Sequence, residues 1–281
     1  MTELALHITK ASGQQVPFDL KKFQRSLENS GAGKEIIDQV TQYILDEITD
    51  STTTKQLYKK AYNHLKKISG SVASRYSLKK AIMDLGPSGY PFEKFVGELL
   101  KYQDYQVEVG RIIKGFCVNH EIDVIAIKND KKIMVECKFH SDQSRKTDVK
   151  VPLYIHSRFQ DIRKQWRKQK DPSIRFYQEW LVTNTRFTDD ASTFGNCAGL
   201  KLISWDYPKK GSLKQRISIS GLHPVTCLAS LTGSEKTSLL DMDIVLCAQL
   251  CENQNVLKKL KINESRQAKV MKEAREVCQI T

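Results

Sequence analysis

Ile122-Asp-Val-Ile-Ala-Ile-Lys-Asn-Asp-Lys-Lys-Ile-Met-Val-Glu-Cys-Lys-Phe-His140 is the stretch from which the rest of the chain is read. Two apolar, β-branched runs, Ile122 to Ile127 and Ile133 to Val135, flank the polar break Lys128 to Lys132. That is the pattern of a hairpin between two half-buried strands. Charges interrupt both strands: Asp123 opens the first, and Glu136 and Lys138 close the second on either side of Cys137. Side chains alternate faces along a strand, so Glu136 and Lys138 point the same way, and His140 follows on that face. A carboxylate and an ammonium at a strand end, beside a second carboxylate, can hold a divalent metal and a water.

The surroundings are those of a polyanion-binding protein. The 281 residues carry a formal net charge of +13, with 40% hydrophobic and 27% charged residues. This composition is globular, and the charge favours nucleic acid over membrane as partner. No run of about 18 apolar residues occurs and the opening residues do not read as a signal peptide, so a cytoplasmic location is expected. The seven cysteines lack paired CxxC spacing, which argues against a zinc site or disulfide framework and for small buried apolar residues.

Three consecutive domains are expected, at 1–86, 87–210 and 211–281. The first has two short strands around Ser12-Gly13, then helices: one capped by Asp19, one carrying Ile36 to Ile48, one capped by Thr54 and carrying Leu57, Ala61 and Leu65, and one carrying Ala73 to Ile82. Gly86-Pro-Ser-Gly89 closes it. The second opens with a helix whose apolar face holds Phe92, Phe95, Val96, Leu99 and Leu100, with Glu93 off its centre. Strands follow at 105–109, 116–120, 179–183 and 200–205, besides the hairpin, with a helix at 191–197, giving an α/β sheet with covered faces. Between Arg145 and Arg175 ten basic residues oppose three aspartates, and Tyr154, Phe159, Ile162 and Trp166 recur at helical spacing. This is an amphipathic helix with a basic outer face, suited to phosphates through Arg158, Arg163, Lys164, Arg167 and Lys168. After the linker Pro208 to Gly211, a small helical domain is expected, with Ser234 as a cap.

The first segment resembles an ATP-cone, on Ile8-Thr-Lys-Ala-Ser-Gly, Phe18-Asp-Leu-Lys-Lys-Phe with Ser26-Leu27, Thr52-Thr-Thr54 and Ser74-Arg-Tyr76. The resemblance implies nucleotide binding, with Lys10 and Lys22 on phosphates, Thr54 near the nucleotide, and ATP or dATP as effector. The family usually has Lys-Arg where this chain has Lys10-Ala11. The second segment resembles the PD-(D/E)xK nucleases, and within them the Mrr-like restriction endonucleases, on Phe92-Glu93, Ile122-Asp-Val-Ile125 and Val135-Glu-Cys-Lys138. The glycine-rich loop of that family is replaced by Val118-Asn-His-Glu121. The third segment is similar to a helix-hairpin-helix bundle.

On the second resemblance the site is Glu93, Asp123, Glu136 and Lys138. Phosphodiester hydrolysis needs an activated water and a neutralised pentacovalent phosphate. A Mg²⁺ or Mn²⁺ ion on Asp123, Glu136 and the backbone carbonyl of Cys137 would serve both, with Lys138 orienting or deprotonating the water. The resulting expectation is a multi-domain α/β protein: a mainly helical ATP-cone, a restriction-endonuclease-like core with a mixed sheet, and a helical C-terminal domain. It would be a DNA endonuclease of restriction or defence, gated by ATP or dATP, cutting as a homodimer, with His140 and Arg158 also reaching DNA. The rivals are a nucleotide-sensing DNA-binding regulator with an inactive nuclease core, and a repair or junction-resolving nuclease.

Overall fold

The computed structural model describes residues 6–10, 12–168, 176–253 and 255–278; Lys170, Asp171 and Arg175 of the expected basic helix lie outside these residues. The chain opens with β1 (His7–Thr9) and β2 (Gln15–Pro17), an antiparallel pair, then α1 (Leu20–Glu28), α2 (Lys34–Glu47), α3 (Thr54–Ile68), α4 (Gly70–Tyr76) and α5 (Leu78–Met83). Asp19 caps α1 as expected, its carboxylate accepting from the Lys22 amide at 2.9 Å. The cap of α3 is Thr53, one residue before the expected Thr54, because Gln56 completes a reciprocal capping box with it. Thr54 instead donates its hydroxyl to the Thr9 carbonyl at 3.2 Å.

The middle of the chain runs α6 (Tyr90–Lys101), β3 (Gln106–Lys114), β4 (Asn119–Lys128), β5 (Lys131–Lys138), β6 (Lys146–Thr147), α7 (Lys150–Lys168), β7 (Phe176–Thr183), β8 (Arg186–Phe187), α8 (Asp189–Cys197) and β9 (Lys201–Ile203). The main sheet has the order β3-β4-β5-β7-β9. Its first two pairings are antiparallel and its last two parallel, so the sheet is mixed. The β4–β5 connection is a tight hairpin in which Asn129 and Asp130 take φ of +50° and +57°. Asparagine and aspartate tolerate that left-handed region, and two such residues match the twist of the flanking strands.

One face of the sheet packs α7 and α8: Ile125, Met134, Leu181 and Leu202 meet Ile155, Phe159, Ile162, Trp166 and Ala191. On the other, Val96, Leu99 and Leu100 of α6 lie with Trp180, Val182 and Ile203. The pairing of the two-residue β6 with β8 was not foreseen in the sequence.

The last part contains α9 (Leu213–Ser220), α10 (Gly233–Asp241), α11 (Cys247–Glu252), α12 (Asn255–Lys259) and α13 (Glu264–Cys278). The cap of α10 falls on Thr232, whose hydroxyl accepts from the Glu235 amide while Glu235 accepts from the Thr232 amide, rather than on Ser234.

Among the described residues, contacts divide the chain into two units, one from the segments up to Lys80, Cys227–Ser238 and from Cys247 on, the other from Ala81–Thr226 and Leu239–Leu246. A buried carboxylate explains why the first unit is discontinuous. Glu273 on α13 accepts from the Ser74 hydroxyl on α4 and from the amides of Ala229 and Ser230 at 2.7 and 2.9 Å. Beside it, Arg75 donates to the Ser30 carbonyl at 2.8 Å and the Glu276 carbonyl at 3.4 Å. Such a satisfied polar network specifies a tertiary arrangement that no local pattern reveals.

Four of the cysteines also converge in this unit. Cys227 and Cys247 are buried with their sulfurs 3.8 Å apart, and the Cys247 thiol pKa is raised by the contact with Cys227 and by burial, with Cys278 and Cys251 adding to it. Cys117 and Cys197 are exposed. No described helix is long and apolar enough to cross a membrane.

Candidate active site

The hairpin ends carry the site. Asp123 lies midway along β4 and Glu136 near the end of β5, each one step beyond the paired residues Val124 and Val135. The two strands lock there, because the Cys137 amide donates to Asp123 Oδ2 at 2.7 Å. The Cys137 side chain is buried and its thiol pKa is pushed up by that burial, so it packs and stays protonated while its main chain lies beside the carboxylates. The end of β5 is fixed to β7 as well, by the Thr183 hydroxyl donating to the Lys138 carbonyl at 2.8 Å. Lys138 is exposed, and its charge acts on Asp123.

Glu93, in the first turn of α6, faces the same place. Its pKa is raised to about 7, first by burial, then by Asp123 and Glu121. Glu136 is raised by burial and by Asp123, against the opposing pull of Arg158. Asp123 is raised by burial, against the Cys137 amide and Arg158. Carboxylates rise in this way when desolvation and like charge outweigh their partners. Glu121 is the member that sequence reasoning left unexplained. It lies two residues from Asp123 on the same strand, and that alternation was the available signal.

Arg158 of α7 closes the group. Its side chain is 9% exposed, and Nη1 donates to Glu136 Oε2 at 2.8 Å. The guanidinium also lies 5.2 Å from the centre of the Tyr154 ring. Further along the helix, Arg163, Lys164, Arg167 and Lys168 are exposed. Lys164 and Lys168 stand over the Phe116 ring at 3.9 and 4.2 Å. Phe116 belongs to the β3–β4 turn, which Asp161 of α7 ties down by accepting from the Cys117 amide at 2.9 Å and bonding His120 Nε2 at 2.8 Å. His120 is therefore a satisfied polar residue with a structural partner.

His140 corrects an expectation. Strand β5 ends at Lys138, and beyond it His140 turns inward to 6% exposure, with Nε2 2.9 Å from the Thr147 hydroxyl. Its amide and carbonyl both bond the Asn184 side chain at 2.8 Å. The ring is not presented to a phosphate; it braces the strand end. His156 of α7 bonds Glu179 at 2.7 Å, and Glu179 is 3% exposed. In the other unit, Lys10 bonds the Gln14 side chain at 3.3 Å, and Lys22 lies in the first turn of α1.

The donors suit a hard divalent cation in kind: carboxylate oxygens and a main-chain carbonyl, with more buried negative charge than nearby positive charge. They are not assembled around one point. Among the described residues no three His, Cys, Asp or Glu side chains are arranged to hold a metal ion, and Arg158 occupies one oxygen of Glu136.

A helix glutamate, a strand aspartate and a Glu-x-Lys strand end on a mixed sheet resemble the nuclease core of the restriction-endonuclease type. Residues 86–207 match the family model described as a restriction endonuclease. Residues 223–278 match the family described as AF1548-like, C-terminal. The chain is 29% identical over 183 residues to an uncharacterized protein of Archaeoglobus fulgidus, a match covering 65% of this chain and 99% of that protein. It is also similar to the crystal structure of a protein of unknown function, AF1548, at 28% identity and a TM-score of 0.57, covering 69% of this chain and all of the other.

Proposed function

We propose that this protein is a divalent-cation-dependent DNA endonuclease. The observation that carries the reading is the cluster of desolvated carboxylates, Asp123, Glu136 and Glu93, at the hairpin end beside exposed Lys138 within a restriction-endonuclease domain. Mg²⁺ or Mn²⁺ held by Asp123, Glu136 and the Cys137 carbonyl would supply Lewis acidity and a more acidic water. Lys138 would orient that water and offset charge on the phosphate. Glu93, with its pKa near neutrality, is suited to accept a proton at physiological pH. Arg163, Lys164, Arg167 and Lys168 would follow the DNA backbone. One site per chain and two strands to cut favour a homodimer. Restriction or defence against foreign DNA is the role this chemistry suits.

A nucleotide effector is a separate part of the reading. Lys10, Lys22 and Thr54, near the start of α1 and α3, would bind the phosphates of ATP or dATP. Support for it rests on the residue pattern of the first segment alone.

A second reading is a DNA-binding regulator whose core grips but does not cut, and the Arg158–Glu136 ion pair favours it. Plasmid cleavage with Mg²⁺ or Mn²⁺, with and without ATP and dATP, tests both. Wild type is expected to cut, and Asp123→Ala and Lys138→Ala to lose at least a hundredfold. Salt-sensitive binding without cleavage in wild type supports the regulator instead. Equal rates with and without nucleotide, together with no nucleotide binding, remove only the effector.

A further inference from the structure

Arg158 stands where a cation belongs. It is 8% exposed as a residue, and its guanidinium is held between Glu136 Oε2, at 2.8 Å, and the ring of Tyr154. Arginine does not lose its proton in proteins, so whenever Glu136 is ionised it has a cationic partner in place. A divalent cation bound through the same carboxylate must displace or share that partner. Arg158 bonds Glu136 through one carboxylate oxygen, Oε2. Tyr154 is 58% exposed, so its ring marks the solvent side of the guanidinium. A pivot about this ring would let Arg158 leave Glu136 while keeping an aromatic contact.

Resting on the metal-dependent reading above, we propose that Arg158 is a positioning residue: it fills the cation position of the resting site, and passes to the DNA phosphate when a divalent ion takes Glu136. The buried carboxylates are thereby kept partly neutralised before the metal arrives, since a buried charge without a partner is costly. Metal and DNA then bind cooperatively. A phosphate that holds Arg158 frees Glu136 for the ion, and the coupling is reciprocal.

The test is Mn²⁺ titration of the full chain by calorimetry at pH 8 without DNA, comparing wild type, Arg158→Met, Arg158→Gln and Glu136→Gln. The neutral Arg158 variants should bind Mn²⁺ about tenfold more tightly than wild type, as loss of one charge-assisted competitor allows. Glu136→Gln should abolish binding. At saturating Mn²⁺ the same Arg158 variants should cut DNA at least tenfold more slowly, since the phosphate has lost its clamp. Tighter binding with slower cleavage is not the signature of a damaged fold, and Arg158→Gln retains a hydrogen-bond donor to Glu136 that supports folding. Unchanged or weaker Mn²⁺ binding in both Arg158 variants, with Glu136→Gln still abolishing it, overturns the role of Arg158 and leaves the metal reading standing. Unimpaired cleavage overturns the transfer to phosphate. No Mn²⁺ binding by any of the proteins overturns the inference together with the reading on which it rests.

Discussion

Replacing Glu93 by Gln should stabilise the metal-free protein at pH 8 and leave it nearly unchanged at pH 5. The Glu93 pKa is raised from 4.5 to about 7, so between those values the folded chain holds a proton that the unfolded chain has already lost. Stability therefore falls as pH rises through that window and levels off above it. At about 1.4 kcal/mol per pH unit the full shift corresponds to ~3 kcal/mol, and screening of a half-buried group reduces this to ~1–2 kcal/mol. Glutamine keeps the shape and cannot ionise, and it also relieves Glu136, on which Glu93 acts.

The assay can be confined to the relevant unit. Trp166, Trp180 and Trp205 are the three tryptophans of the chain, and all fall within Ala81–Thr226. Urea unfolding followed by tryptophan fluorescence at pH 5 and pH 8 thus reports the unit that holds the site. Wild type should lose ~1–2 kcal/mol or more between the two pH values, and Glu93→Gln should lose distinctly less. Millimolar Mg²⁺ at pH 8 should restore part of the wild-type loss, because binding to the folded state adds stability. A wild-type stability that is flat or rising from pH 5 to pH 8, or a variant with the same slope as wild type, would refute the reasoning.

Two further outcomes separate bracing from DNA contact. His140→Ala should lower the stability of the same unit by about 1–3 kcal/mol, by opening a cavity and removing one of the two buried hydrogen-bond partners of the Thr147 hydroxyl, the other being Thr183. In that variant the salt dependence of DNA binding should stay as in wild type, and a reduced slope with unchanged stability would return His140 to the DNA-contact set. Substituting Lys164 and Lys168 together by Gln should reduce the slope of log affinity against log salt by roughly 1 for each lysine, measured by fluorescence anisotropy with duplex DNA. An unchanged slope would mean that these two ammonium groups, held over Phe116, do not meet phosphate.

The hairpin was legible because two independent local signals agreed: period-two alternation in both strands and a polar Asn129-Asp130 turn able to take positive φ. The same alternation placed Lys138 with Glu136 but failed at His140, because β5 stops at Lys138 and the period has no meaning beyond the strand. It also contains Glu121, two residues before Asp123, whose charge acts on both Asp123 and Glu93. What stayed hidden was tertiary. Glu273 lies about two hundred residues from Ser74, and nothing local marks them as partners. Residues Ser74 and Arg75, read for their likeness to a nucleotide-binding segment, are occupied in the structure by α13 and its surroundings.

The charged residues that break the apolar pattern of β4 and β5 also break the energetics of the fold. Carboxylates held at raised pKa lower the stability of the ionised folded chain, and a sequence selected for stability alone would replace them with apolar groups. Each is instead fixed in place: Asp123 by the Cys137 amide, Glu136 by Arg158, and the strand end by Thr183. Rigid support for an unfavourable charge arrangement is what preorganised electrostatic catalysis requires, because the cost is met in folding and not during the reaction. Arg158 is the one support made by a long side chain with an alternative partner in Tyr154, whereas the others involve main-chain atoms. It follows that if the site rearranges when it takes a cation, the movement will be found at Arg158 and not in the hairpin.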